Sequence, residues 1–218
     1  MDSKQPGGST GHAWRSALAL GLVALIGTAL LAGIQQLTRK RIEAQERRAV
    51  LAQLGQLVAA DRYDNALHDD RFTFTDNRWF PGGREVTVYR ARLHGEAVAA
   101  VLKLVAPGGY NGDIHMLVGI NADGTLTGVR VTAHKETPGL GDALETARSH
   151  WILGFSGRSL SDPQPSGWAV RRDGGVFDQF TGATITPRAV VMAVRQALEY
   201  FSANKEMLFA QPAEPGNP

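Results

Sequence analysis

The feature that most constrains this chain is an uncharged apolar run near its start. Ser16 to Ile34 reads SALALGLVALIGTALLAGI, about 19 residues without an Asp, Glu, Lys or Arg. At about 1.5 Å rise per helical residue, such a run is just long enough to cross the roughly 30 Å hydrocarbon core of a bilayer. A cleavable signal carries a shorter apolar region of about 7–15 residues. Here the helical pattern continues past the run through QQLTRKRIEAQERRAVLAQLGQL without a proline. The sequence therefore predicts an uncleaved single-pass anchor over 16–34, preceded by a Gly- and Ser-rich tail (1–15) and followed by a juxtamembrane helix (35–60). Basic residues flank the run unequally, with Lys4 and Arg15 before it and Arg39, Lys40, Arg41, Arg47 and Arg48 after it. By itself that bias favours a cytoplasmic body. Glu43 and Arg47 fall at i, i+4 spacing, which reads as a solvated helix face.

The 218 residues include no Cys, so a disulfide framework, a cysteine nucleophile and thiolate-held zinc or iron–sulfur centres are excluded. Lys+Arg 23 nearly balances Asp+Glu 21, which is no nucleic-acid footprint. The six His show no metal-ligand spacing, so no metal site is expected.

A soluble body is expected over 61–204, with a C-terminal tail over 205–218. Glu85 to Leu93 alternates apolar and polar residues, His94-Gly95-Glu96 marks a tight turn, and Ala97 to Val105 returns as a buried strand. Ile114 to Ile120, a turn at Asn121-Ala122-Asp123-Gly124, and Leu126 to Ala133 repeat the hairpin. A helix is expected after Pro138, with Asp142 and Glu145 as a capping-box pair, and a short strand over Trp168–Val170. The last element is an amphipathic helix beginning at Pro187, with Val190, Ala193, Val194, Ala197, Leu198 and Phe201 on one face. This order implies an α+β fold with antiparallel sheet and flanking helices. Asp61, Asp69, Asp70, Arg171, Arg172 and Asp173 read as solvated surface charge.

Chemistry concentrates just before that last helix. In Asp178-Gln179-Phe180-Thr181-Gly182-Ala183-Thr184-Ile185-Thr186-Pro187, three hydroxyls and a glycine precede a helix start, with Thr186 the expected N-cap. A helix N-terminus offers free N–H groups to an anion, and Gly182 permits close backbone approach. Taken as spacing alone, the same segment also reads as a simple turn and cap.

Two motifs point further. D-x-x-T-G-A-T-x-T closely resembles the flavinylation motif D-x-x-[ST]-G-A-[ST]-x-[ST], and His134-Lys135-Glu136-Thr137-Pro138-Gly139-Leu140-Gly141-Asp142 resembles the HxETPGLGD signature of the RnfG and NqrC family of membrane-anchored flavoproteins. With Gly109-Tyr110-Asn111-Gly112, the resemblance runs from Ser16 to about Phe201, and the short length and GYNG form resemble the RnfG (RsxG) branch more than the longer NqrC branch. It implies one covalent FMN per chain, carried through a phosphoester on Thr186 as phosphothreonyl-FMN. Thr181, Gly182, Ala183 and Thr184 would lie around the attachment point. Thr137 and Leu140 would border the ring, with Glu136 at its polar edge, and Tyr110 reads equally as a stacking partner or an ordinary loop aromatic. The family motif commonly continues with Ser where this chain has Pro187, which removes one N–H donor.

The resemblance further implies an electron-transfer subunit of an Rnf-type complex of the bacterial inner membrane, coupling ferredoxin/NAD electron transfer to ion translocation. It would be a relay with no catalytic residues of its own. Its partners would be the membrane and iron–sulfur/flavin subunits, membrane lipid, and a flavin transferase using FAD and Mg²⁺ for maturation. That transferase works in the periplasm, so the resemblance places the body there, against the charge bias. A single uncharged span is no ion path, so pumping would reside in the partners. The alternatives are the homologous FMN subunit of a sodium-translocating NADH:quinone reductase and a non-redox membrane-anchored binding or regulatory module.

Overall fold

A computed structural model describes residues 50–213 continuously, together with residues 14, 18, 20–22, 24–28, 30 and 48. The chain divides into two units, Met1–Ala49 and Val50–Pro218. In the first, the described residues are helical. Among the described residues no helix is long and apolar enough to cross a membrane. The expected span over 16–34 falls partly outside them, and the expected terminal tail over 1–15 lies almost wholly outside them.

The second unit is built on one antiparallel sheet of five strands in sequence order, β1 (Arg71–Thr75), β2 (Glu85–Leu93), β3 (Glu96–Gly109), β4 (Gly112–Asn121) and β5 (Leu126–Ala133). The antiparallel α+β expectation is borne out. Alternation in β2 places Val86 and Val88 on one face and Tyr89 and Ala91 on the other, the shift from even to odd positions being imposed by the pleat. The β2–β3 turn holds His94 at φ 54° and Gly95 at φ 84°. Two consecutive positive φ values make a primed turn, whose twist matches that of the strands it joins. β3 and β4 reach farther than expected, to Gly109 and from Gly112, and their ends pair with each other. β1 alternates too, with Phe72 and Phe74 between Arg71, Thr73 and Thr75, but over only five residues, and it is an element beyond those expected from the sequence. It pairs in register with β2, Phe72 opposite Val88.

One face of the sheet packs against α1 (Ile185–Ala210), whose Val190, Ala193, Val194, Ala197, Leu198 and Phe201 are all buried as their spacing predicts. Burying a stripe of that size, at about 25 cal/mol per Å², is the main force holding helix to sheet. The helix also runs past the expected limit of the body at 204, and Leu208 is fully buried. The opposite face is covered by Leu54, Leu57, Val58 and Leu67, which pack on Tyr89, Ala91, Ala99, Val101 and Leu117. Leu57 lies over a cross-strand pair of glycines, Gly119 and Gly128, where an added Cβ at either would come within 3.2 Å of it. Glycine at both positions lowers the sheet surface enough to admit the leucine.

Three expectations are corrected. The segment after Pro138 forms two short 3₁₀ turns, Gly141–Leu144 and Trp151–Phe155, with no α-helix between them. Asp142 and Glu145 do not form a capping box: Asp142 Oδ1 accepts from the Gly139 N–H at 2.8 Å, while Glu145 faces His134. Trp168–Val170 is no strand, and only Val170 makes an isolated bridge, to Phe177.

Asp70 is likewise not solvated surface charge. It pairs with Arg90 at 2.5 Å and Arg92 at 2.9 Å. Arg90 is 1% exposed, and it also donates to the carbonyls of Leu208 and Gln211, while Arg92 donates to that of Phe209. Two guanidinium groups thus serve the carbonyls that a helix leaves unpaired at its C-terminal end.

Candidate functional site

Three segments converge at the other end of α1: the β3–β4 turn, the loop leaving β5, and the Thr-rich run that enters the helix. The first helical residue is Ile185 and the N-cap is Thr184, which adopts helical dihedrals and makes no side-chain capping bond. Thr186 is therefore not the N-cap. It is the second residue of the first turn, with Pro187 third. Proline is tolerated there because the first-turn N–H groups have no intrahelical partner to lose. The Arg188 N–H bonds the Thr184 carbonyl at 3.3 Å, which leaves the N–H groups of Ile185 and Thr186 as the helix's free donors.

As an inward-facing residue of the first turn, Thr186 is fully buried, at 0% exposure, and its hydroxyl donates to Glu136 Oε2. Glu136 is 6% exposed and its other oxygen accepts the Asn111 N–H at 3.0 Å. The Asn111 side-chain amide in turn donates to Thr137 Oγ1 at 3.1 Å. The hairpin turn, the HxETPGLGD loop and the helix start are thereby joined by one polar chain. Two glycines make room for the carboxylate. A Cβ on Gly109 would come within 2.9 Å of Glu136 Oε1, and one on Gly141 within 2.7 Å of Oε2.

His134 orients the loop. The Glu136 N–H donates to His134 Nδ1 at 3.1 Å, and His134 Nε2 lies 3.0 Å from Glu145 Oε1. With Nδ1 accepting, the network assigns the ring proton to Nε2, which donates to Glu145.

The Thr-rich run is braced from outside. The Trp151 indole N–H donates to the Asp178 carbonyl at 2.8 Å, and its ring meets Phe180 edge-on at 5.0 Å. Arg171 pairs with Asp178 at 2.8 Å and Asp173 with Arg188 at 2.6 Å. The Arg188 hydrogen bond holds the Asp173 carboxyl below its ordinary value, and the same bond raises Arg188. Arg171 and Asp173 thus tie the loop before the motif to the motif and helix, beyond the solvation read from sequence.

Of the sequence-predicted residues, Thr186, Glu136 and Thr137 come together. Leu140 is 47% exposed and lies over Gly182, where an added Cβ would sit 3.6 Å from Leu140 Cδ2. Gly182 has φ 78°, the left-handed value expected where the backbone turns closely. Ala183 and Thr184 are half-buried, Thr181 is exposed, and Tyr110 stands exposed at the hairpin tip. Sequence reasoning named Asn111 only within Gly109-Tyr110-Asn111-Gly112 and missed its part, since both its contacts, to Glu136 and to Thr137, reach about 25 residues along the chain. It also missed Gly109 as a spacer, and its only signal was a glycine on each side of the turn.

Comparison with known proteins adds to this geometry. Residues 109–199 match the family described as FMN-binding domain, and residues 9–57 match the RnfG N-terminal region. The chain is 50% identical over 203 residues to an ion-translocating oxidoreductase complex component of Pseudomonas aeruginosa strain UCBPP-PA14, covering 93% of this chain and 95% of that one. This chain belongs to the RnfG family. Proteins of the same description from Pseudoalteromonas atlantica and from Vibrio cholerae strain O395 are also similar to it. The first is 45% identical over 92% of this chain and 93% of its own, the second 41% identical over 91% and 94%. Like these relatives, the chain is a component of an ion-translocating oxidoreductase complex, and it carries an FMN-binding domain. The match to that domain starts at Gly109 and so takes in all three segments that meet at Thr186, the β3–β4 turn included.

Proposed function

We propose that this chain is the FMN-carrying electron-transfer subunit of an Rnf-type ion-translocating oxidoreductase complex, with the flavin joined to Thr186 through a phosphoester, one per chain. The observation that carries the attachment site is the position of Thr186. It is the last residue of D-x-x-T-G-A-T-x-T, it lies in the first turn of α1, and its hydroxyl is held by a buried carboxylate.

The residues present suit such a group. The N–H groups of Ile185 and Thr186, at the positive end of the helix dipole, favour a phosphodiester anion. Leu140 and Ile185 expose apolar surface next to the motif, the kind of wall an isoalloxazine ring requires. Thr137 adds a hydroxyl and Glu136 a carboxylate at the polar edge, while Gly182, Ala183, Thr181 and Thr184 shape the entry to the helix. Bound FMN supplies the electron chemistry. The chain holds it, orients it and sets how much solvent reaches it.

In this reading the FMN-binding body, 61–204, is carried on a single inner-membrane span over 16–34 and faces the periplasm. The helical residues Leu18, Leu20, Leu22, Leu25, Ile26 and Leu30 are all exposed, a surface that calls for a nonaqueous cover. Other components of the complex deliver and remove electrons and carry the ion path, and a flavin transferase performs the attachment.

The deciding experiment is intact mass spectrometry of the full chain made with and without a co-expressed flavin transferase, followed by peptide mapping. A gain equal to FMN minus water on the peptide containing Thr186 supports the reading. An unmodified chain, with the transferase active on a control substrate, overturns the covalent assignment.

A further inference from the structure

From the buried contact between Glu136 and Thr186 we infer that Glu136 is the proton acceptor for flavin attachment, so that the chain supplies part of the chemistry of its own modification. The inference rests on the reading of Thr186 as the attachment residue. A threonine hydroxyl is a weak nucleophile, and a base within hydrogen-bond reach is the usual means of activating one. Glu136 Oε2 already accepts the Thr186 hydroxyl. The Asn111 N–H engages Oε1, and Gly109 and Gly141 leave open the space in which the carboxylate sits. Burial removes competing water from both partners. Holding Thr186 for packing alone would need only a neutral acceptor, whereas the site contains a carboxylate.

In the attachment step Thr186 Oγ1 attacks the flavin-side phosphorus of FAD, forming the Oγ1–P bond. The P–O bond of the pyrophosphate breaks and AMP leaves with that electron pair. The hydroxyl proton passes to Glu136 Oε2 and from there to solvent. Because Thr186 is fully buried, the residues covering it move aside as the transferase docks.

The test is the time course of FMN mass gain on the detergent-solubilised full chain with purified transferase, FAD and Mg²⁺. Glu136→Gln keeps the size and the Asn111 contact but cannot take the proton. It is expected to lower kcat for attachment about 100-fold or more, the usual scale of general-base catalysis, with KM for the chain unchanged. Glu136→Asp keeps a carboxylate and is expected to stay faster than Glu136→Gln. Glu136→Ala is expected to regain rate with added formate but not with equal chloride. Wild-type kcat in Glu136→Gln, a loss confined to KM, the reverse order of Gln and Asp, or formate acting no better than chloride would overturn the inference. A wild-type chain that takes no flavin, or takes it on another residue, brings down the Thr186 reading and this one together. Wild-type modification at Thr186 with Glu136→Gln keeping pace removes this one alone.

Discussion

The hydroxyl of Thr186 points into the protein, to Glu136, across 50 residues of sequence. The residue that carries the flavin in this reading is therefore also part of the buried polar chain that holds two loops to the start of α1. Thr186→Val is nearly isosteric but leaves Glu136 Oε2 without its donor, which costs about 1–3 kcal/mol. The expected outcome is a folded body with a lowered unfolding midpoint and no flavin fluorescence on a denaturing gel. Thr186→Ser, which keeps the oxygen, is expected to retain some attachment. Flavin retained by the valine variant would contradict the assignment.

Gly141→Ala tests the packing around that carboxylate. The new methyl group would lie within 2.7 Å of both Glu136 Cβ and Oε2, so the side chain must shift. Overpacking of this kind costs about 1–3 kcal/mol. A lower midpoint in denaturant together with slower flavin attachment is expected, and attachment at the wild-type rate would show that the position of Glu136 is not critical.

Arg90→Met probes the far end of α1. It removes the donors to the Leu208 and Gln211 carbonyls and strips one partner from Asp70, though Arg92 at 2.9 Å and Asn65 at 3.1 Å still hold that carboxylate. Breaking a buried pair from one side costs about 3 kcal/mol. Denaturant unfolding should show that loss, and Asp70→Asn combined with Arg90→Met should lose less than the two single changes added together. Strict additivity would mean that the pair is not coupled.

Tyr200 is expected to make stability fall at alkaline pH. Burial pushes its phenol up to about 12 from an ordinary value of 10.0, with the charge on Asp76 adding to the effect. The ring sits among Phe74, Trp79 and Phe80. A raised folded-state value means that its contribution is fully present below pH 10 and is lost as pH rises through about 12, because the unfolded chain releases the proton first. Melting temperature should fall across that window, and Tyr200→Phe should flatten the fall. An unchanged slope in the phenylalanine variant would place the alkaline sensitivity elsewhere.

Much of this protein was legible in its sequence because the signals were local. Alternation over Glu85–Leu93 and the His94-Gly95 turn specify a hairpin through the two-residue period and a positive-φ turn. The 3.6-residue spacing from Val190 to Phe201 specifies one buried helix face, and two linear motifs point to the flavin family. What depended on tertiary structure was everything set by residues far apart in the chain. Local capping rules put Thr186 at the helix N-cap. In the folded chain Thr184 takes that position, and Thr186 turns inward to a carboxylate supplied by a loop 50 residues earlier. Glu145 fits a capping pattern with Asp142 in the sequence but meets His134 instead, and Asp70 reads as surface charge until Arg90 and Arg92 close on it. The physical reason is the same in each case. A polar group's partner is decided by which groups burial brings within about 3 Å, and sequence spacing reports that only within a turn or a strand pair.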